Sequence, residues 1–404
     1  MTDIASPLPA STNISSSAVV ALSFAAFASG ISLRVTDPLL PRLASDFQVP
    51  IGTAASVITV FSIAYGLSQL FFGPMGDRFG KYLVVACACV ACSLTALLCA
   101  LAPSFATLLA ARVLAGATAA AIIPLSMAWI GDVIAYDQRQ PVLARFLIGQ
   151  IMGLSTGVMV GGFAAEHIGW RLPFYGIAIL FASVSVVLFT INRHLPLRAR
   201  QVHHGAGSAL ARMRSEFSQV LAVPWARVVL LTVFLEGAFL YGSVAFIVSH
   251  LHLRYAVPLS TAGAVVMLFG FGGLLFALAV ATLVRRLGEV GLSFWGGSLV
   301  AASYLTIAFA PLWWLAIPAC FCAGLGFYML HNTLQINATQ MAPERRGAAV
   351  SAFASCFFLG QSAGVGLNSL LLPRVGTSGI MAAGAAGVLV VAWNFSRLRA
   401  RRSI

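Results

Sequence analysis

Twelve uninterrupted apolar runs succeed one another along this chain, near residues 18–40, 51–72, 83–102, 106–130, 143–165, 173–192, 228–250, 260–283, 290–309, 313–339, 348–371 and 376–395. A run of about 20 residues is what a helix needs to cross the hydrocarbon core of a bilayer. Backbone groups in lipid must be satisfied internally, so only helices or a closed barrel can span. Barrel strands are about half as long and alternate apolar with polar residues, which these runs do not. Composition agrees: the 404 residues are 60% hydrophobic and 9% charged, against about 25% charged in soluble domains, too few to cover a soluble surface. The class is an all-α integral membrane protein with twelve transmembrane helices. The expected organisation is a disordered cytoplasmic tail (1–16), a six-helix bundle (17–192), a cytoplasmic central loop (193–226), a second six-helix bundle (227–396) and a basic tail (397–404).

Charge placement sets an expected orientation. Of 24 basic residues, 18 fall on one side: Arg78, Lys81, Arg139, Arg145, six around the central loop, Arg285, Arg286, Arg345, Arg346 and four in the C-terminal tail. Arg42, Arg171, Arg254 and Arg374 fall on the other, and Arg34 and Arg112 lie within helices. The positive-inside rule then puts both termini in the cytoplasm. The net charge of +13 reflects this asymmetry; it is scattered over short loops rather than gathered into a patch for nucleic acid. No basic residue precedes Arg34, so the start does not read as a secretory signal. The seven cysteines lie within helices and read as small packing residues. His250 and His252 read as a solvated loop pair rather than metal ligands. Neither a metal nor a cofactor is expected.

The central segment divides the chain six helices against six, and weak internal matches cross it. ARVLAG (111–116) aligns with ACFCAG (319–324) and DRFGK (77–81) with RRLGE (285–289), both at an offset of 208; GQIMG (149–153) aligns with GQSAG (360–364) at 211. Parallel repeats about a cleft are a transporter architecture, so the two bundles are expected to be pseudo-symmetric.

Between helices 2 and 3 stands GPMGDRFGKY (73–82). Tightly joined helices need glycine where the backbone turns or packs closely. Asp77 and Lys81 are four apart and share a face if the turn is helical, and Asp132 at the inner end of helix 4 is a partner for Lys81. Gly73, Asp77, Arg78, Gly80 and Lys81 fit in order the Gly-x-x-x-Asp-Arg/Lys-x-Gly-Arg/Lys signature of the major facilitator superfamily, which the whole chain resembles. The subgroup it most resembles is the bacterial drug–proton antiporters and sugar-efflux permeases. The resemblance implies a conformational gate, a charge network that braces one state at the cytoplasmic face and releases in the other. Lysine at 81, where the family usually has arginine, lacks the bidentate fork. In the second copy Arg285 replaces Asp77, so the two loops are not equivalent.

Ionisable groups inside spans are costly and mark function by default. They are Arg34 and Asp37 in helix 1, Arg112 in helix 4 and Glu236 in helix 7. TDPLLP (36–41) resembles the end of helix 1 in the antiporters, and Arg112 with Gly116 the Arg-x-x-x-Gly of their helix 4. Asp37 is expected to carry the proton, with Arg112 tuning it; the alternative is an interfacial Arg34–Asp37 pair that only ends the helix. Glu236, near the midplane, is a second protonation site, a point for a cationic substrate, or a helix–helix hydrogen bond. Weaker cavity candidates are Arg34, Tyr65, Gln69, Gln150, His331, Asn332 and Gln361. Helix 5 carries the glycines of the antiporter stretch in GLSTGVMVGG (153–162), but Val158 stands where that group has proline.

Together these features suggest a secondary transporter, not an enzyme: proton-coupled efflux of small amphipathic molecules by alternating access, as a monomer in a bacterial inner membrane, with protons, lipid and a small-molecule substrate as its partners. Uptake of a metabolite through the same frame is the nearest alternative. A non-transporting membrane sensor or scaffold is the alternative of another class.

Overall fold

A computed structural model describes residues 16–134, 136–196, 199 and 209–402. The N-terminal tail and the polar middle of the central loop lie outside these residues. Helix is the only regular structure among those described. The spans are α1 (Ser16–Arg34), α2 (Ile51–Phe79), α3 (Lys81–Ala100), α4 (Phe105–Val133), α5 (Pro141–His167), α6 (Arg171–His194) and α7 (Pro224–Tyr255). Leu259–Phe309 follows, broken at Gly288 into α8 (259–287) and α9 (289–309); then α10 (Trp313–Gln340); then Pro343–Arg402, broken at Gly376 into α11 (343–375) and α12 (377–402). The expected twelve spans are therefore present.

The breaks are chemical. Gly80, Gly169, Gly288 and Gly376 take φ of 90°, 82°, 62° and 66°, where a Cβ is strained; Gly80, Gly288 and Gly376 each break the helix in one residue, and Gly169 sits in a three-residue turn. Gly80 and Gly288 close corresponding turns, 208 residues apart. Elsewhere Ser104 caps α4, its Oγ accepting from Thr107 N while Thr107 Oγ1 accepts from Ser104 N, the reciprocal pairing of a capping box.

The internal repeat is written in backbone contacts. Gly116 on α4 faces the carbonyl of Phe61 on α2, and Gly324 on α10 faces that of Phe269 on α8, both members shifted by 208. Gly149 and Gly153 on α5 face the carbonyls of Ser23 and Phe27 on α1; Gly360 and Gly364 on α11 face those of Phe234 and Ala238 on α7, all shifted by 211. Small residues permit such approach where lipid supplies no hydrophobic drive. Leu278, Leu370, Ile179 and Val186 project outward, the first with 87% of its surface free, as a lipid-facing surface requires.

The two groups of six meet through α2 against α11 and α5 against α8. Gly52 faces Ser369, Ser362 Oγ donates to Thr59 O (3.2 Å), Gly162 faces Leu259 and Gly263, and Ser260 N donates to Glu166 Oε2 (2.9 Å). These contacts lie from the middle of the molecule to the end opposite the Gly80 and Gly288 turns, so that end is sealed. The turn-bearing end carries most of the arginines and is called the basic end below.

Two expectations need correction. The first run was taken as continuous to residue 40, but α1 ends at Arg34, and a turn leads to a short helix, Leu40–Phe47. Pro38 is the cause: the residue before proline is pushed from helical backbone, and Asp37 N bonds Arg34 O at i−3 instead. The central segment carries a helix, Ala209–Ala222, over the stretch SALARMRSEFSQVL whose spacing is helical, and Arg345 Nε donates to Gln219 Oε1 (3.0 Å). His250 is not solvated. α7 extends past it, it is fully buried, and its ring nitrogens contact Thr377 Oγ1 and Ile307 O, each at 2.8 Å. His252 is half-buried, with Nδ1 2.9 Å from Val257 O.

Candidate functional site

The Pro38 break places Arg34 on the last turn of α1 and Asp37 in the bend below it. Both are buried, at 4% and 2% exposure. Arg34 Nη2 lies 2.9 Å from Asp37 Oδ2, in an ion contact without hydrogen-bond alignment. Among the described residues the ion-pair partner of Asp37 is Arg34, not the expected Arg112. Arg112 instead ties three helices, donating from Nε to Val57 O on α2 (3.3 Å) and from Nη1 to Ser32 O on α1 (3.4 Å), with its guanidinium 4.0 Å from the Phe61 ring. In the alternative reading an interfacial pair ended the helix; here Pro38 ends it, and the pair is buried within the protein.

Glu236 is fully buried on α7 and stands immediately before a π-helical turn, Gly237–Tyr241. Such turns recur at functional sites. Here Gly237 lies against Phe357 O and Gln361 N of α11, and Gly242 against Gly364. His331 Nδ1 on α10 lies 2.9 Å from Glu236 Oε2, and Oε1 has no partner. The His331 ring stacks on Phe327 (4.9 Å) and meets Phe357 (4.8 Å) and Phe353 (5.4 Å). Tyr241, displaced by the extra residue of the π-turn, meets Phe327 at 5.2 Å and lies 4.8 Å beneath the Arg34 guanidinium. One aromatic wall therefore joins the two charged pairs. Sequence reasoning found the four charged residues and His331; it missed Tyr241, the phenylalanines and the π-turn. The dipeptide Glu236–Gly237 in an apolar helix was the available signal.

Between the halves, Arg34, Ser155, Tyr241, Phe269 and Tyr328 line a cavity of about 20 Å³, room for about one water. Gln361 and Gln69 are buried, each with an amide oxygen lacking a partner. Tyr65 is buried, its ring 4.1 Å from Phe358 across the interface. Gln150 and Asn332 are half-buried. No group of three or more His, Cys, Asp and Glu side chains with metal-binding geometry occurs among the described residues.

At the basic end Lys81 Nζ reaches Asp132 Oδ2 (2.5 Å) and Asp77 Oδ1 (3.3 Å), uniting the three predicted charges. Of the motif glycines, Gly80 makes the turn and Gly76 packs against Leu125, but nothing lies near Gly73, so close packing does not explain it. Arg78 is exposed, with its guanidinium 5.2 Å from the Phe79 ring. In the second copy Glu289 occupies the place of Lys81. It accepts from Arg399 Nε (2.8 Å) on α12 and Asn337 Nδ2 (3.0 Å) on α10. The corresponding turn of the second half thus also holds a polar contact, with the charge at this position inverted.

Comparison with known proteins adds a frame to this geometry. Residues 22–365 match the family model described as Major Facilitator Superfamily. The uncharacterized MFS-type transporter YceJ of Bacillus subtilis is 24% identical over 349 residues, covering 85% of this chain and 86% of its own. The efflux pump radE of Floropilus chiversii is 24% identical over 250 residues, covering 57% of this chain and 46% of its own. Among solved structures, the nucleoside transporter NupG superposes with a TM-score of 0.75 at 14% identity, covering 96% of this chain and 99% of that one. A bacterial homologue of the lysosomal transporter Spinster, inward-facing and unoccupied, gives 0.72 at 16% identity, covering 95% and 96%.

Proposed function

Because the chain belongs to the major facilitator superfamily, as a multi-pass membrane transporter and not an enzyme, we propose that it couples proton movement to the export of small amphipathic molecules by alternating access. The observation that carries the proton half is Glu236: a fully buried carboxyl at a π-turn, bonded to a titratable partner on the facing helix and otherwise unsatisfied. A buried acid with one histidine neighbour can exchange a proton when the molecule opens, and the change of charge is what a two-state element responds to. Asp37 is the second proton site, with Arg34 its direct partner. Lys81, Asp77 and Asp132 brace the basic end, which the positive-inside rule assigns to the cytoplasm of a bacterial inner membrane. Sealing at the opposite end agrees with a state open to that side. Export is supported by relatives that are named efflux pumps, and an aromatic wall suits amphipathic cargo. The protein works as a monomer, since each group of six supplies its own side of the cavity.

One observation favours uptake as a second reading. Asp37 is paired with Arg34, so a proton on Asp37 unmasks a guanidinium rather than emptying the site. Proteoliposomes under an imposed proton gradient separate the readings. Substrate-dependent proton movement opposite to substrate flux supports export, and movement in the same direction supports uptake. Glu236→Gln is expected to reduce coupled flux at least tenfold while leaving substrate-dependent stabilisation. No proton movement with any transported compound would remove proton coupling, and no transport at all would favour a sensor or scaffold.

A further inference from the structure

The groups around the central cavity do not balance one another. On the α1–α4 side stand two buried guanidiniums, Arg34 and Arg112, and one buried carboxylate, Asp37, which pairs with Arg34. Arg34 Nη1 and Arg112 Nη2 are buried and have no partner. The other buried acid, Glu236 on α7, meets His331 of α10 through Oε2 and leaves Oε1 without a partner; the other polar residues lining the cavity with Arg34 are Tyr241, Tyr328 and Ser155. Buried charge is tolerated when it is paired, and a buried donor left unmade is costly. Arg112 spends two of its donors on backbone carbonyls and lies on a phenyl face. Arg34 lies over the Tyr241 ring and borders the cavity, its Nη1 has no partner, and Phe269, Tyr241 and Tyr328 form the apolar and aromatic walls.

We propose that this cavity is the binding site for the acidic group of the substrate, an amphipathic carboxylate, with Arg34 as its anchor and Asp37 as the internal competitor for the same guanidinium. Once the halves part, a carboxylate accepts from Nη1, which no protein group engages, and its apolar body lies along the Tyr241–Phe269–Tyr328 wall. This deepens the transporter reading and rests on it. Asp37 holds Nη2 when the site is empty, so neutralising Asp37 strengthens anion binding, the opposite of what loss of a purely structural ion pair does.

The test uses the full chain in nanodiscs with three probes sharing one body: 4-phenylbutyrate, 4-phenylbutyramide and 4-phenylbutylamine. The readout is ligand-dependent thermal stabilisation, converted to affinity. Phenylbutyrate is expected to stabilise the protein and the other two are not. Arg34→Lys keeps the charge and the reach to Asp37 but loses the second arm of the fork; carboxylate affinity is expected to fall about tenfold, the loss of one charge-assisted hydrogen bond. Asp37→Asn is expected to raise carboxylate affinity severalfold even if it lowers the stability of the empty protein. Equal or greater stabilisation by amine or amide, no stabilisation by the carboxylate, or an Asp37→Asn variant that binds the carboxylate more weakly would each overturn the proposal. Carboxylate binding without flux in liposomes would leave this site standing and sink the transport reading; flux of uncharged or cationic compounds alone would do the reverse.

Discussion

Gly162 on α5 sits where the two groups of helices touch at the sealed end. A Cβ built there would stand 2.5 Å from Leu259 O and 3.1 Å from Gly263 Cα of α8, and both neighbours are backbone. Gly162→Ala must therefore push α5 and α8 apart by several tenths of an ångström, an overpacking cost of about 1–3 kcal/mol. That contact exists only while this end is closed, so the cost falls on one conformation. At 1.4 kcal/mol per tenfold, the closed-to-open ratio is expected to fall by a factor of about 5–150. Gly153→Ala is the matched control. Its Cβ would meet the Phe27 carbonyl of α1, which belongs to the same six-helix group and moves with it, so the cost falls on both conformations. The gain in helix propensity of alanine over glycine, about 1 kcal/mol, is common to both variants and both states. A Thr59→Cys/Ser362→Cys pair reports closure, because Ser362 Oγ lies 3.2 Å from Thr59 O; Cys87, Cys322 and Cys356, which are not buried, are replaced first. Gly162→Ala should lower the crosslinked fraction and Gly153→Ala should lower only thermal stability. Equal crosslinking in the two variants would refute the assignment of the α5–α8 glycines to a state-dependent seal.

Other expectations concern single contacts. His250→Phe leaves Ile307 O and Thr377 Oγ1 without their buried partner, and a loss of about 1–3 kcal/mol is expected, read as a lower midpoint in thermal denaturation. Arg112→Met removes the bonds to Ser32 O and Val57 O that tie α1 and α2 to α4, with a cost of about 2–3 kcal/mol by the same measurement and without loss of the Arg34–Asp37 contact. Lys81→Met breaks both arms of the brace. Asp77 and Asp132 are half-exposed, so the change in stability should be about 1 kcal/mol or less, and high salt should mimic it in wild type. Glu289→Gln should weaken the contact to Arg399 while keeping the one from Asn337, a small effect that screens with salt in the same way.

The fold was legible because lipid imposes a coarse rule: each span must be long, apolar and helical, and twelve such runs leave little freedom. The repeat was legible because glycines facing a carbonyl cannot be replaced by a larger residue without moving a helix. The site was legible only as far as charge in an apolar run goes. The Arg34–Asp37 pair could be read from its spacing, but its geometry could not, because that depends on where the helix stops. Pro38 follows Asp37 directly, yet the hydrophobic pattern continues through it and hides the break that brings Asp37 back onto Arg34. The π-turn after Glu236 was hidden for a similar reason, since Gly237 and Gly242 acquire their meaning from the carbonyl of Phe357 and the backbone of Gly364 on another helix. His250 was misjudged because a histidine near a helix end has the same letters around it whether it meets water or a carbonyl.

The repeated glycine contacts also bear on stoichiometry. By the register that carries Ser23 and Phe27 onto Phe234 and Ala238, Glu236 falls on Ala25, and past the π-turn residues 242–253 of α7 hold no acid or arginine to match Arg34 or Asp37. A duplicated scaffold thus carries each charge in a single copy. Such a molecule has one occupancy to fill per cycle. Its saturation by cargo should follow a simple hyperbola with a Hill coefficient of one, despite the twofold look of its frame.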